Sequence, residues 1–251
     1  LEGAHFSRWG VYTMINDCNI VLDRIDDPAV EGDQAVKNQY KGEAYFLRAL
    51  AYHELLRSYS YEPGQEVNGF NLGVVLRTEG IIGFAGVTDL PRATTTEGYA
   101  LLEADLNQAI ALLPVQGAAN VDKFRARKAA AQALLARVLL YEGKYAEAAT
   151  AADAALAGTS AVLVDSAGYV ASFSTTPHPE SIFESELTAA DWNTVDGANN
   201  SLQSYTQNTV PGFFTLSPSA EFESLVAEEP GDVRNNMIIT SPQALGDGSG
   251  N

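Results

Sequence analysis

The chain has 251 residues, 46% of them hydrophobic and 19% charged, a balance that belongs to a folded globular protein and excludes a disordered or collagen-like one. Its 32 acidic against 15 basic side chains leave a formal charge of −17, which argues against a nucleic-acid or anionic-membrane partner, because phosphate binding needs clustered Lys and Arg. A single cysteine, Cys18, excludes an internal disulfide and a cysteine-based zinc cluster, and no apolar run reaches the roughly 18 residues of a membrane-spanning helix.

From His5 to Ile25 the residues Phe6, Trp9, Tyr12, Ile15, Asn19 or Ile20, Leu22 and Ile25 recur at three- and four-residue steps and predict a helix, ended by Asp26, Asp27 and Pro28. Cys18 lies inside that pattern as a buried thiol. A second, long helix is expected from Asp33 to Tyr59, on Val36, Tyr40, Ala44, Leu47, Leu50, Ala51, Leu55 and Leu56, with Pro63 and Gly64 closing it. Tyr61 to Arg92 carries Gly69, Gly73, Gly80, Gly83 and Gly86 around short apolar runs such as Val74 to Leu76, and reads as an extended loop with one or two short strands. Long loops inside compact domains tend to carry function, so this is the first candidate binding region.

Thr94 and Glu97 have the spacing of a capping box, opening a helix on Leu101, Leu102, Leu106, Ala109, Ile110 and Leu113 that stops at Pro114. The basic cluster Lys123, Arg125, Arg127 and Lys128 reads as a solvated polar face at a helix start. Lys128 to Glu142 is a helix-favouring Ala/Leu/Arg run, followed by a turn at Gly143 and a partner helix from Tyr145 to Leu156. Beyond Gly158 the pattern loosens into Ser, Thr, Asn and Gly as far as Pro242.

Catalysis would need convergent groups. His5, His53 and His178 are far apart and match no metal-ligand spacing, His53 reads as structural, and neither a nucleophile elbow nor a Walker loop is present, so no metal or cofactor is expected. Glu184, Glu186 and Asp191 are the best local pairings for glycoside hydrolysis, and Glu184 and Glu186 would share one strand face in the alternating run Ser181 to Leu187; a solvated face explains them more simply. Sugar binding uses other groups, aromatic rings for the apolar face of a pyranose and amides or carboxylates for its hydroxyls. Two segments hold them: Tyr59, Tyr61, Asn68, Phe70 and Asn71 in the first loop, and Asp191, Trp192, Asn193 and Tyr205 in the later one, where Asn199, Asn200, Gln203, Gln207 and Asn208 add amides. The alternative for each ring is that it packs its loop down on the helices.

From Ala136, the residues Gly143, Tyr145, Ala148 and Ala155 fall seven, nine, twelve and nineteen positions on, the spacing of a tetratricopeptide hairpin in which small residues let two helices approach. A divergent earlier copy joins the helix of Ala49 and Tyr52 to that of Leu102, Ala109 and Pro114, with the long loop inserted between.

Tyr12, Ile15, Cys18, Asn19, Val21 and Leu22, then Gly42-Glu43-Ala44-Tyr45-Phe46-Leu47-Arg48-Ala49 with Tyr52, resemble the opening helices of the SusD/RagB family of outer-membrane glycan-binding lipoproteins. The likeness continues through Ala129 to Tyr141, Glu180-Ser181-Ile182-Phe183-Glu184 and Glu229-Pro230-Gly231-Asp232 with Arg234, in the family's order. Arg57 to Gly64 stands where the family has a Phe-Gly step and a Val-Pro, so the loop beyond is expected to be built differently. The family's lipid-bearing cysteine has no counterpart, since Cys18 lies within the first helix, and the family runs well past Arg234.

The resemblance implies a mainly α fold, with tetratricopeptide-like hairpins, a loop-rich irregular ligand-binding part and few short strands. One SusD-like unit is expected over 1–251, truncated at both ends, with a helical scaffold at about 5–60 and 94–157 and loop-rich parts at 61–93 and 158–251. It also implies a non-catalytic protein that binds an oligosaccharide or polysaccharide on the outer face of the outer membrane and delivers it to a TonB-dependent, SusC-like transporter. It would touch the membrane only through a lipid anchor. A tetratricopeptide-type scaffold for a protein partner is the alternative, and a glycoside hydrolase fragment a further one.

Overall fold

The computed structural model describes residues 10–83, 87–115, 123–186 and 218–237. They fall into two compact units, Leu1–Ala161 with Ser181–Glu184, and Val162–Glu180 with Ser185–Asn251. The fold is mainly helical, as expected.

The first unit holds α1 (Val11–Arg24), α2 (Gln34–Tyr59), α3 (Thr95–Leu112), α4 (Lys128–Tyr141) and α5 (Tyr145–Ala157). Each packs chiefly on the next in the chain. The predicted starts and stops have local causes: Asp33 accepts the Ala35 N–H at 2.7 Å to cap α2, and at α3 the full capping box forms between Thr94 and Glu97. Gly143 turns the chain between α4 and α5 at φ 73°, a conformation that favours glycine. The α4–α5 hairpin buries Ala148 and Ala155, and α2 packs on α3 across the inserted loop, as the divergent copy requires. Ile15, Phe46, Tyr52, Leu55, Leu56, Tyr99, Leu102, Leu106 and Val138 form the core, and Cys18 is buried in α1.

Two polar features organise this unit. Arg48 of α2 is buried and makes two bonds to Asp105 of α3, at 2.8 and 2.6 Å, and a third to Asn19 of α1 at 2.7 Å. Three helices are thereby tied at one guanidinium. The loop after α2 forms the second. Its expected strands are not built: among the described residues it holds one isolated bridge, Leu72 to Thr94. Gly73 and Val74 bond the backbone of Ala93, and residues 75–81 then run over α1 and α2, whose side chains take backbone bonds that a neighbouring strand would have taken. Tyr12 donates to the Val75 carbonyl at 2.8 Å, and the Tyr52 hydroxyl both donates to Arg77 O at 2.8 Å and accepts from Arg77 N at 2.7 Å. Asn19 donates to Arg77 O and Glu79 O, Asp23 accepts from Gly80 N, and Asn16 bonds both the N–H and the C=O of Ile81. Gly80 is needed for this approach, since a Cβ there would lie 2.8 Å from the Ile20 backbone.

Two other expectations are corrected. The cluster at 123–128 is not simply a solvated face: Lys123 is buried, and Arg125 pairs with Glu43 of α2 and lies 5.4 Å over the Tyr40 ring. Nor do residues 181–186 form a strand. Ile182 and Phe183 pack into the first unit, Phe183 edge-on to Phe46 at 5.1 Å, because the run's apolar residues are drawn to that core.

The second unit holds α6 (Tyr169–Ser172), α7 (Ala220–Ala227) and a 3-10 helix, Val233–Met237. Its Gly231-Asp232-x-Arg234 motif is a self-contained turn, in which the Asp232 carboxylate accepts from the Arg234 N–H at 2.9 Å and pairs with its guanidinium.

Candidate functional site

α2 ends as Ser60 takes up an extended backbone, and the chain then turns over the helix ends. Asn68 and Gly69, at φ 54° and 73°, make a turn that presents Phe70. Phe70 meets Tyr61 edge to face, with centroids 6.0 Å apart, and both rings remain exposed, at 42% and 43%. Arg92 stiffens the pair from below. Its guanidinium lies 5.4 Å over the Phe70 ring and donates to the carbonyls of Tyr59 at 2.7 Å and Gly73 at 2.7 Å.

Of the residues singled out in the first loop, the structure thus brings Tyr61 and Phe70 together. Tyr59 packs against the core and lends its carbonyl to Arg92. Asn71 anchors the loop through its main chain, its carbonyl accepting Thr95 N–H at 2.8 Å, and its side chain is exposed, as is that of Asn68. Asp191, Trp192, Asn193 and Tyr205 lie outside the described residues, with Asn199, Asn200, Gln203, Gln207 and Asn208.

Behind Tyr61 opens a cleft of about 240 Å³ between the end of α2, the first turn of α3 and the last residue of α4. Tyr61, Tyr99 and Tyr141 line it with Arg57, Ser60 and Glu62. Tyr99 is only 2% exposed, and its phenol is pushed up to about 12, chiefly by burial and further by Tyr141, Glu62 and Glu142. Arg57 is engaged: it pairs with Glu54 at 2.9 Å and lies over the Tyr141 ring at 5.6 Å. The sequence reading did not single out Tyr99, and Tyr141 and Arg57 stood far apart in it; α2, α3 and α4 packing side by side brings the three to one cleft.

The described residues also contain pairs that look reactive. In the second unit Ser172 Oγ lies 3.0 Å from His178 Nε2. The Glu180 N–H donates to Nδ1 at 3.2 Å, which places the ring proton on Nε2, while the serine hydroxyl donates to Tyr169 O at 2.6 Å. The imidazole donates to this serine rather than taking its proton, the reverse of what a nucleophile requires. Glu184 is held by Ser181 at 2.5 Å, and its N–H donates to Lys123 O. His53 is fully buried and edge-on to Tyr141 at 5.3 Å, a core position.

A family model described as "SusD-like, starch-binding associating with outer membrane" matches residues 6–140. The chain belongs to this family. Among solved structures it is similar to a SusD superfamily protein from Bacteroides thetaiotaomicron, with 25% identity and a TM-score of 0.79 over 96% of this chain and 51% of that one. It also resembles a SusD-like carbohydrate-binding protein from Bacteroides vulgatus, with 28% identity and a TM-score of 0.68 over 83% of this chain and 41% of the other. A laminarin-binding SusD-like protein shares 27% identity, with a TM-score of 0.56 over 70% of this chain and 36% of its own. The chain therefore spans about half the length, or less, of these structures. No curated protein matches it.

Proposed function

We propose that this protein captures an oligosaccharide or polysaccharide at the outer face of the outer membrane, held there by a lipid anchor, and passes it without chemical change to a TonB-dependent, SusC-like transporter. The observation that carries the reading is the exposed Tyr61–Phe70 pair, stiffened by Arg92, in a chain of a starch-binding family. Two rings at an angle, braced by a guanidinium, offer the apolar face of a pyranose a platform whose shape needs little ordering on binding. Support for a protein partner comes from a groove of about 410 Å³ between α3, α4 and α5, lined by Ile110, Leu135 and Leu139 with Asn107 and Gln132.

The test is a glycan array followed by calorimetry on the wild-type chain, Tyr61→Ala and Phe70→Ala. One class of polysaccharide binds the wild type, and each substitution weakens it roughly tenfold, the value of a lost stacking partner, with the unfolding midpoint unchanged. A folded wild-type chain that binds no glycan overturns the reading. Release of reducing sugar would replace it with a hydrolase.

A further inference from the structure

The cleft behind the platform has features the platform does not use. At about 240 Å³ it is smaller than the roughly 300–1,000 Å³ of pockets for drug-sized ligands, so it admits one ring-sized group rather than a chain passing through. Its wall is rich in hydroxyls: the phenols of Tyr61, Tyr99 and Tyr141, and Ser60. The Tyr99 ring is buried, yet no hydrogen bond among the described residues engages its hydroxyl. That hydroxyl is not shut away from solvent but opens on the cleft wall, where a sugar hydroxyl can take the place of water as its partner.

The charges are equally telling. Arg57 is occupied by Glu54 and Tyr141, whereas no ion pair or hydrogen bond among the described residues engages the Glu62 carboxylate. The free charge facing the cleft is therefore negative, in a chain of net charge −17. A carboxylate accepts two neighbouring hydroxyls, or an ammonium, and repels another carboxylate or a sulfate.

We infer that this cleft is an end-on subsite that takes the terminal ring of a neutral or amino sugar, through Glu62 and Tyr99, and rejects uronates and sulfated sugars. This rests on the glycan reading above and assigns the chain end to the cleft and the chain body to the Tyr61–Phe70 platform.

The test is saturation-transfer NMR of the full chain with glucose, galactose, mannose, glucosamine and glucuronate, on wild type, Tyr99→Phe and Glu62→Gln. At least one neutral or amino sugar binds, and glucuronate binds at least tenfold more weakly. Tyr99→Phe, which keeps the ring, weakens the bound sugar about fivefold, and Glu62→Gln weakens it roughly tenfold while narrowing the gap to glucuronate. Absence of monosaccharide binding, equal binding of glucuronate, or indifference to both substitutions overturns the subsite. Polysaccharide binding that is lost in Tyr61→Ala but unchanged in Tyr99→Phe and Glu62→Gln keeps the capture reading and removes the subsite. Monosaccharide binding sensitive to Tyr99, without any polymer binding, does the reverse.

Discussion

Two buried residues of α2 carry opposite kinds of risk. His53 has no exposure and neither ring nitrogen finds a hydrogen-bond partner among the described residues; burial, with Arg57 and Arg137 adding to it, pulls its pKa down to about 4 from 6.5. The unfolded chain therefore binds a proton between those two values that the folded chain refuses. The stability associated with neutral His53 is complete above pH 6.5 and is lost as pH falls towards 4. Urea midpoints measured across that window should drop with acid in the wild type and lose most of that slope in His53→Leu. Arg48 is the contrary case, a buried charge with every partner in place. Asp105→Ala strands it, and should cost about 3–5 kcal/mol in denaturant unfolding. Arg48 stood within the motif that suggested the family, but nothing marked Asp105, fifty-seven positions along, as its partner.

The helices were legible because their signals are local. The capping box at Thr94 and the glycine turn at 143 are each written within a few residues, and both form as read. Thr94→Ala should lower stability by about 1 kcal/mol, the usual value of a lost cap, read from the thermal or urea midpoint. The strands failed for a reason that is equally physical. Val74 to Leu76 has the composition of a strand, but the Val74 carbonyl accepts from Ala93 N–H and that of Val75 from the Tyr12 hydroxyl, and just beyond, at 77–81, Tyr52, Asn19 and Asn16 supply donors and acceptors from helices. Those side chains are scattered through helical patterns, where Tyr12 and Tyr52 read as packing residues and nothing marks any of them as a backbone partner for the loop. Asn16→Ala should accordingly raise the exchange rate of the Ile81 amide while leaving the amides in the middle of α2 unaffected, as followed by hydrogen exchange.

Across the whole chain the balance of charge outweighs its distribution. A net charge of −17 makes the compact state repel itself, and this repulsion is screened by salt, whereas the Arg48–Asp105 pair is buried and little affected. Raising sodium chloride from about 10 to 200 mM should therefore raise the unfolding temperature rather than lower it. Of the candidate site, the aromatic residues Tyr61 and Phe70 were legible from composition, and the structure brings the two rings together. The cleft was not, since Tyr99 and Tyr141 sit in helices whose packing alone brings them beside Glu62.

The Arg92 clasp also bears on how such a molecule diversifies. The insertion leaves α2 at Ser60 and rejoins the scaffold at Thr94, and Arg92 grips the Tyr59 carbonyl, so its two ends are fastened to each other. Residues 75–81 are tied to α1 and α2, but 61–72 are held mainly at their margins. Closing a loop whose ends already meet costs little more when its length changes. The stretch between clasp and strap can thus change in sequence or length at little cost to the helices beneath it.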